Sequence, residues 1–421
     1  MNVPEISTNK SNSIFEFDWS KEKIHIQVKN VRADKTDVTG IIRITTSASG
    51  YAPNLHWGRM NFLAANTRAT LEKTLDKLYP ECTNWHGILD QLAYFCVERV
   101  TKGAPVETID MASLEDIKPP EYLIYPLLAK NEPTILFGDG GSFKSYVSVI
   151  LGYIASLPHT AQLFKLSTTN TTGIKTLILD YERSKNLMLW RLKCLRDGMN
   201  LEPTTIDYRR CSTRFSDEMD VIQQLVDDTK AELVVIDSVG AACAADMNAP
   251  ETATTLFNAL RTLNVTSLLI THNSKGADAK SRTPFGSVYF WNEASAVWEI
   301  VKAQNAGDDR IRIGLYNRKN NIAKLQEPLG FEIQFTDNTT FVVPCKAEDI
   351  PGYDDNLPLA DKIYSYLAQT NASTVEALAS VFALSKSAVA RELTSDKRFV
   401  PISTQNGQGG MWDIAKVRYN T

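Results

Sequence analysis

Through the middle of the chain, short and almost wholly apolar runs alternate with helical patterns. The runs are TILFG (134–138), TLILDYE (176–182), IDYRRC (206–211), ELVVID (232–237) and SLLITHN (267–273). Runs of this kind separated by helices predict a parallel sheet covered on both faces. Two further strand patterns, SAVWEIVKA (295–303) and RIRIGLYNRK (310–319), follow without long helices between them. FEIQF (331–335) and TFVVP (340–344) predict a closing hairpin around Asp337-Asn338.

The flanks read differently. After a polar tail, KIHIQVKNV (23–31) and GIIRITTSA (40–48) alternate with period two across a polar turn, Ala33 to Thr39, which predicts a β-hairpin. Helical patterns follow over 59–79 and 85–100, before the Pro-rich joint Lys118-Pro119-Pro120. Beyond the turn-rich stretch 347–358, helical patterns cover 359–369, 374–383 and 385–395, with Ser373 to Glu376 as a capping box. RFVPIS and GMWDIA bracket the Gly-rich QNGQGG. Three helices and a hairpin of this size predict a winged helix-turn-helix. The expected organisation is an N-terminal α+β domain (1–115), an α/β domain (120–346) and a winged-helix domain (356–421).

Composition narrows the class. A hydrophobic fraction of 43% with 22% charged residues describes an ordinary globular protein. With a formal net charge of -4, any contact with nucleic acid must run through local basic surfaces. The six cysteines are widely spaced and form no C-x-x-C pair, which argues against a disulfide framework or a zinc site. No apolar run approaches the roughly 20 residues needed to span a bilayer, and the N-terminal residues form no signal-peptide pattern. The expected location is cytoplasmic.

The sharpest motif is GDGGSFKS: Gly138, Asp139, Gly140, Gly141, Ser142, Phe143, Lys144 and Ser145, followed by Tyr146. It stands directly after an apolar strand and before a helical pattern, the context a phosphate-binding loop requires. Glycines let backbone N–H groups curl around a phosphate, and the helix N-terminus adds a favourable dipole. Lys144 is placed to neutralise β/γ oxygens, and the Ser145 hydroxyl to ligate Mg²⁺. Phe143 occupies the position where the pattern has glycine, which is costly if the backbone there needs positive φ.

Other candidates lie at strand ends, where parallel sheets place their sites. Asp237 closes ELVVID and suits Mg²⁺ coordination through water, although it also suits a helix cap. Glu182 is a candidate for activating the attacking water, with Asp180 weaker. His272 and Asn273 close the next strand, where a polar pair can sense a γ-phosphate; a satisfied buried histidine is the alternative. The segment 274–287 carries Lys275, Lys280 and Arg282 with a single acid, Asp278. It suits a phosphate backbone as well as it suits a solvated loop. Arg318, in LYNRKNN, is a candidate to reach a neighbouring copy's nucleotide, with Arg310 and Arg312 as competitors.

Taken in order, GDGGSFKS, LILDYERS, LVVIDSVGAACAADMNAPET, LLITHNSK and LYNRKNN resemble the RepA-like ATPases of the RecA superfamily, relatives of DnaB-type replicative helicases. The likeness covers about 120–345. It implies a RecA-type core and a ring, usually hexameric, with ATP and Mg²⁺ at subunit interfaces and single-stranded DNA in the channel. By position, Lys144 and Ser145 match the family's phosphate-loop pair and Asp237 its magnesium acid. Glu182 matches its catalytic glutamate, His272 its sensor and Arg318 its trans-acting basic residue. Over 358–421, seven basic residues face five acids. Lys386 and Arg391, on the expected recognition helix, suit duplex DNA, although such modules also dock proteins. The expected activity is DNA-stimulated ATP hydrolysis driving a helicase or translocase. An ATP-gated, recombinase-like or regulatory ATPase without unwinding is the alternative, and a weak ATPase scaffold a third reading.

Overall fold

A computed structural model of the chain describes residues 3–8, 14–33, 36–82, 84–102, 108–109, 111, 117–157, 162–163, 166–168, 172–274, 282–346, 349–352, 359–402 and 410–415.

The N-terminal region is a five-stranded antiparallel sheet in the order β1-β2-β3-β4-β5. Its strands are β1 (Glu5–Thr8), β2 (Ile14–Trp19), β3 (Ile24–Ala33), β4 (Val38–Thr46) and β5 (Asn54–Asn61). Alternate positions of β2 and β4 are buried. The apolar face lies under α1 (Ala65–Leu78) and α2 (Trp85–Lys102), in a core containing Phe17, Trp19, Ile26, Leu75 and Trp85. The hairpin expected at 23–48 is β3 and β4. The polar tail and the first helix need correction. Residues 5–8 and 14–19 are strands, because Phe15, Phe17 and Trp19 supply a buried face. Arg59 to Asn61, read as helical, are strand: their backbone pairs with Ile41 to Thr39. Cross-strand pairing overrides the local pattern there.

Two small hairpins, β6 (Tyr122–Ile124) with β7 (Leu128–Ala129) and β9 (Gln162–Leu163) with β10 (Leu166–Ser167), flank the start of the central region. Its nine strands are β8 (Pro133–Gly138), β11 (Thr176–Asp180), β12 (Asp207–Arg210), β13 (Leu233–Asp237), β14 (Thr266–His272), β15 (Ala296–Ala303), β16 (Arg310–Asn320), β17 (Leu329–Phe335) and β18 (Thr340–Pro344). The order is β12-β11-β13-β14-β8-β15-β16-β17-β18. The first six are mutually parallel and the last three antiparallel. Every residue of β11 and β13 is buried, as a sheet covered on both faces requires.

One face carries α3 (Lys144–Ser156) and α4 (Lys185–Met199); the other carries α5 (Met219–Thr229), α6 (Val239–Cys243), α7 (Pro250–Leu263) and α8 (Val288–Glu293). All residues of α3 are buried, so this largely apolar helix is enclosed on every side rather than striped. Gly138 is fixed by packing: a Cβ there would come within 2.5 Å of the Ile300 carbonyl on β15.

At the C-terminal end, α9 (Leu359–Thr370), α10 (Val375–Val381) and α11 (Lys386–Ser395) surround a small core with Ile363, Leu378, Val389 and Phe399. A three-stranded antiparallel sheet runs β19-β21-β20: β19 (Ser373–Thr374), β20 (Phe399–Ile402) and β21 (Met411–Ile414). The capping residue of α10 is Thr374, whose hydroxyl accepts from the Ala377 amide at 3.2 Å. Ser373, expected in that role, is drawn into β19 opposite Trp412. Among the described residues no helix is long and apolar enough to cross a membrane.

Candidate functional site

The ends of β8, β11, β13 and β14 meet at one edge of the sheet. Register places Asp180 beside Asp237, Asp237 beside Ile270 and His272 beside Gly138. A cleft there is lined by Gly141 to Tyr146, Glu182, Arg183, Arg191, Asp237, Ser238, Ile270 and His272. The sequence-predicted phosphate loop, both carboxylates and the sensor histidine thus converge.

Phe143 adopts φ 69°, ψ 17° and is the N-cap of α3. The positive φ that glycine would supply is therefore real, and a phenylalanine holds it. Its ring turns toward Phe335 (centroids 6.0 Å apart) and Tyr146 (6.4 Å), with the Lys302 ammonium 5.4 Å from its centre. Tyr146 in turn stacks on Phe335, and the Arg191 guanidinium lies 5.1 Å from its ring. These aromatic contacts offset the backbone cost.

Lys144 is buried and donates to the carbonyls of Gly138 (2.9 Å) and Asp139 (2.8 Å). Burial pushes its ammonium down to about 8 against the pull of Asp237, Asp139 and Glu182. Asp237, also buried, is pushed up to about 6 by desolvation, opposed by a hydrogen bond from Ser145. Ser145 Oγ also accepts from Arg183 Nε at 3.3 Å.

Asp180 shapes the turn instead of facing the cleft as a base. Its Oδ1 accepts from the amides of Glu182 (2.9 Å) and Arg183 (2.7 Å) and from Arg210, and its Oδ2 from the Tyr208 hydroxyl (3.0 Å). The turn presents Glu182, whose carboxylate accepts a hydrogen bond from the buried Ser238 hydroxyl. The His272 imidazole is held below its ordinary range by burial and by the Lys144 charge. Asn273 Nδ2 donates to Asp139 Oδ1 at 2.6 Å.

Arg282 bridges Asp139 (3.5 Å) and Glu299 (3.6 Å). Glu299, on β15, is 1% exposed, and its other oxygen accepts from Arg318 Nε at 2.7 Å. A buried carboxylate needs such partners. Arg318 is therefore paired within the chain and separated from its own phosphate loop by Glu299 and Arg282. Neighbouring Lys319 donates to the carbonyls of Trp291, Asn292 and Ala294, closing the end of α8. The competitors Arg310 and Arg312 pair with Glu332 on β17. Lys275 and Lys280 lie outside the described residues. On α11, Lys386 pairs with Glu376 at 2.8 Å and Arg391 is exposed.

Sequence reading missed Arg183, Arg191, Ser238 and Glu299. Signals existed: Arg183 and Ser238 directly follow proposed site carboxylates, and Arg191 lies about two helical turns beyond Arg183. Glu299 is a lone acid inside an apolar strand.

A magnesium–triphosphate fits these residues. Positions around Gly140 and Gly141 are open, with nothing within 4 Å of an added Cβ. The residues that open α3 line the cleft, and the buried Lys144 amine is held by carbonyls of its own loop. Among the described residues no cluster of three or more His, Cys, Asp or Glu could hold a metal alone. Ser145 and Asp237, hydrogen-bonded to each other, are the residues that could hold an ion together with the phosphates.

Residues 100–278 match the AAA domain family. The matched segment is a P-loop ATPase domain. The match ends before β15, so the strands bearing Glu299 and Arg318 lie outside it. Among solved structures, a KaiC-like protein from the hyperthermophilic archaeon Pyrococcus horikoshii is similar with a TM-score of 0.37 at 14% identity, over 54% of this chain and 96% of that one. No curated protein matches the chain in sequence.

Proposed function

We propose that this chain is an ATP-dependent DNA helicase or translocase of the RepA-like type, with a RecA-type core, acting as a homo-oligomeric ring, hexameric by the resemblance, on single-stranded DNA. The observation that carries the reading is the Asp139–Arg282 contact. It ties the phosphate loop to one end of the basic segment 274–287, so that changes at the nucleotide reach a surface suited to a phosphate backbone.

Magnesium-bound ATP supplies the bond to be cleaved and a cation that draws charge from its oxygens. Lys144 leaves its two carbonyl partners to neutralise the phosphates, while Ser145 and Asp237 hold the ion. Glu182, kept in place by Ser238, takes the proton of the attacking water. His272 and Asn273 report phosphate occupancy to Asp139 and the segment that follows. Arg318, shielded from its own phosphate loop by Glu299 and Arg282, serves a neighbouring copy's nucleotide. The C-terminal helices and sheet serve as a winged helix, with Lys386 and Arg391 toward DNA or a docked protein.

The test is ATP turnover with and without single-stranded DNA, paired with strand displacement on a forked duplex, using Lys144→Ala as blank. Stimulation by DNA that falls in Arg282→Ala, together with displacement, is expected. Turnover on DNA without displacement identifies the alternative, an ATP-gated DNA-binding ATPase; turnover indifferent to DNA removes both.

A further inference from the structure

The outer face of the N-terminal sheet is open: among the described residues, both helices of this region pack on the opposite face. Antiparallel sheets of this kind normally present polar residues to water. Here Trp57, on edge strand β5, is 72% exposed. Register sets it directly opposite Arg43, which stands opposite Gln27. The next row on the same face is Lys29, Ile41 and Arg59. Rows two residues apart are separated by about 7 Å.

Charge on this face is divided. Glu5, Glu16 and Asp18 lie at the β1–β2 side, while Lys29, Arg43 and Arg59 lie on β3 to β5. Arg43 donates to the Asn54 side chain and Arg59 to the Thr39 hydroxyl, each at 3.2 Å. Among the described residues none of these three cations is paired with a carboxylate, unlike most arginines of the central sheet. The Trp57 indole therefore stands in the uncompensated basic half of the face.

We propose that the β3–β4–β5 face is a single-stranded DNA site in which Trp57 stacks on an unpaired base and Lys29, Arg43 and Arg59 contact the flanking phosphates. An exposed indole offers a π-face that every base can use, and cations in adjoining rows track a backbone. Bases in a duplex are already stacked and paired, so the indole selects single strands. This site is separate from the nucleotide cleft and from segment 274–287, and it holds or fails independently of the ATPase.

The experiment measures binding of a fluorescein-labelled 20-nucleotide oligo(dT) to the full chain without nucleotide, across a salt series. Trp57→Ala is expected to weaken binding five- to hundred-fold, the range for loss of one stacked base, with Trp57→Tyr restoring most of it. Arg43→Ala or Arg59→Ala is expected to lower the slope of log affinity against log salt by about 0.7 each. Tyr94→Ala, which removes a comparably exposed aromatic (67%) on α2, leaves affinity unchanged. ATP turnover without DNA is the same in all variants. The proposal is overturned if Trp57→Ala and Arg43→Ala bind oligo(dT) with unaltered affinity and slope, or if Tyr94→Ala loses as much. It is equally overturned if Trp57→Ala changes only the sedimenting mass, because the face then docks a protein copy. Arg43→Ala, on an exposed side chain, keeps the test valid should a tryptophan variant misfold.

Discussion

Phe143 offers a case in which the usual order of two substitutions reverses. At most positions alanine is more stable than glycine by about 0.5–1 kcal/mol, because glycine loses more backbone freedom on folding. At φ 69° a residue with a Cβ carries roughly 1–2 kcal/mol of strain that glycine does not. The phenylalanine offsets this with its ring, which packs on Tyr146 and Phe335 under Lys302. Truncating a fully buried phenylalanine costs about 3–5 kcal/mol; for this half-buried ring about 2 is appropriate. Phe143→Ala loses the ring and keeps the strain, for a net loss of about 2 kcal/mol. Phe143→Gly loses the ring but relieves the strain, so it ends about 0.5–1 kcal/mol better than alanine. The assay is urea or thermal unfolding of the transition that excess MgADP moves, since ligand linkage marks the central domain. About 1 kcal/mol corresponds to roughly 2–4 °C for a domain of this size. An alanine variant as stable as the glycine variant, or more so, would refute the left-handed backbone at Phe143.

Other outcomes follow from the same geometry. With the free Lys144 ammonium near 8 and its charged form favoured by bound phosphate, MgATP affinity is expected to fall as pH rises above about 8. Calorimetry in buffers of different ionisation enthalpy should then register proton uptake on binding. In its proposed role Asp237 must be ionised to hold magnesium, and burial pushes its carboxyl up to about 6, so the magnesium needed for half-maximal turnover should climb as pH drops below 6. A magnesium requirement flat from pH 7 to 5 would contradict that role. Ser238→Ala removes a hydrogen bond to a charged carboxylate, worth about 1.5–3 kcal/mol; turnover number should fall about ten- to hundred-fold with KM for ATP little changed, whereas a rise in KM alone would place Ser238 in binding.

Much of the candidate site was legible in the chain because its determinants are local. An apolar run, a glycine-rich turn and a helical pattern identify the phosphate loop within about 20 residues, and a carboxylate at the end of a buried run marks Asp237 the same way. The parallel sheet followed from the repetition of such units. The left-handed backbone at Phe143 was foreseeable from the glycine it replaces, although the aromatic partner that supports it, Phe335, stands on β17, far along the chain. Asp180 ranked below Glu182 as a candidate base in sequence, but nothing local gave the reason. Only the turn, with two amides closing on Asp180, separated an anchor from a presented carboxylate.

Tertiary structure alone decided what lies across strands. The sheet order β14-β8-β15 brings Asn273, Asp139, Arg282 and Glu299 together, and Arg318 joins them from β16. Periodicity carries the face a residue occupies, through spacings of two or three to four positions, but not the identity of a partner more than a hundred residues away. The same limit explains why Arg59 to Asn61 read as helix and fold as strand. A residue's own neighbours set its local preference, and the hydrogen bonds of β4 outweigh it once the sheet is assembled.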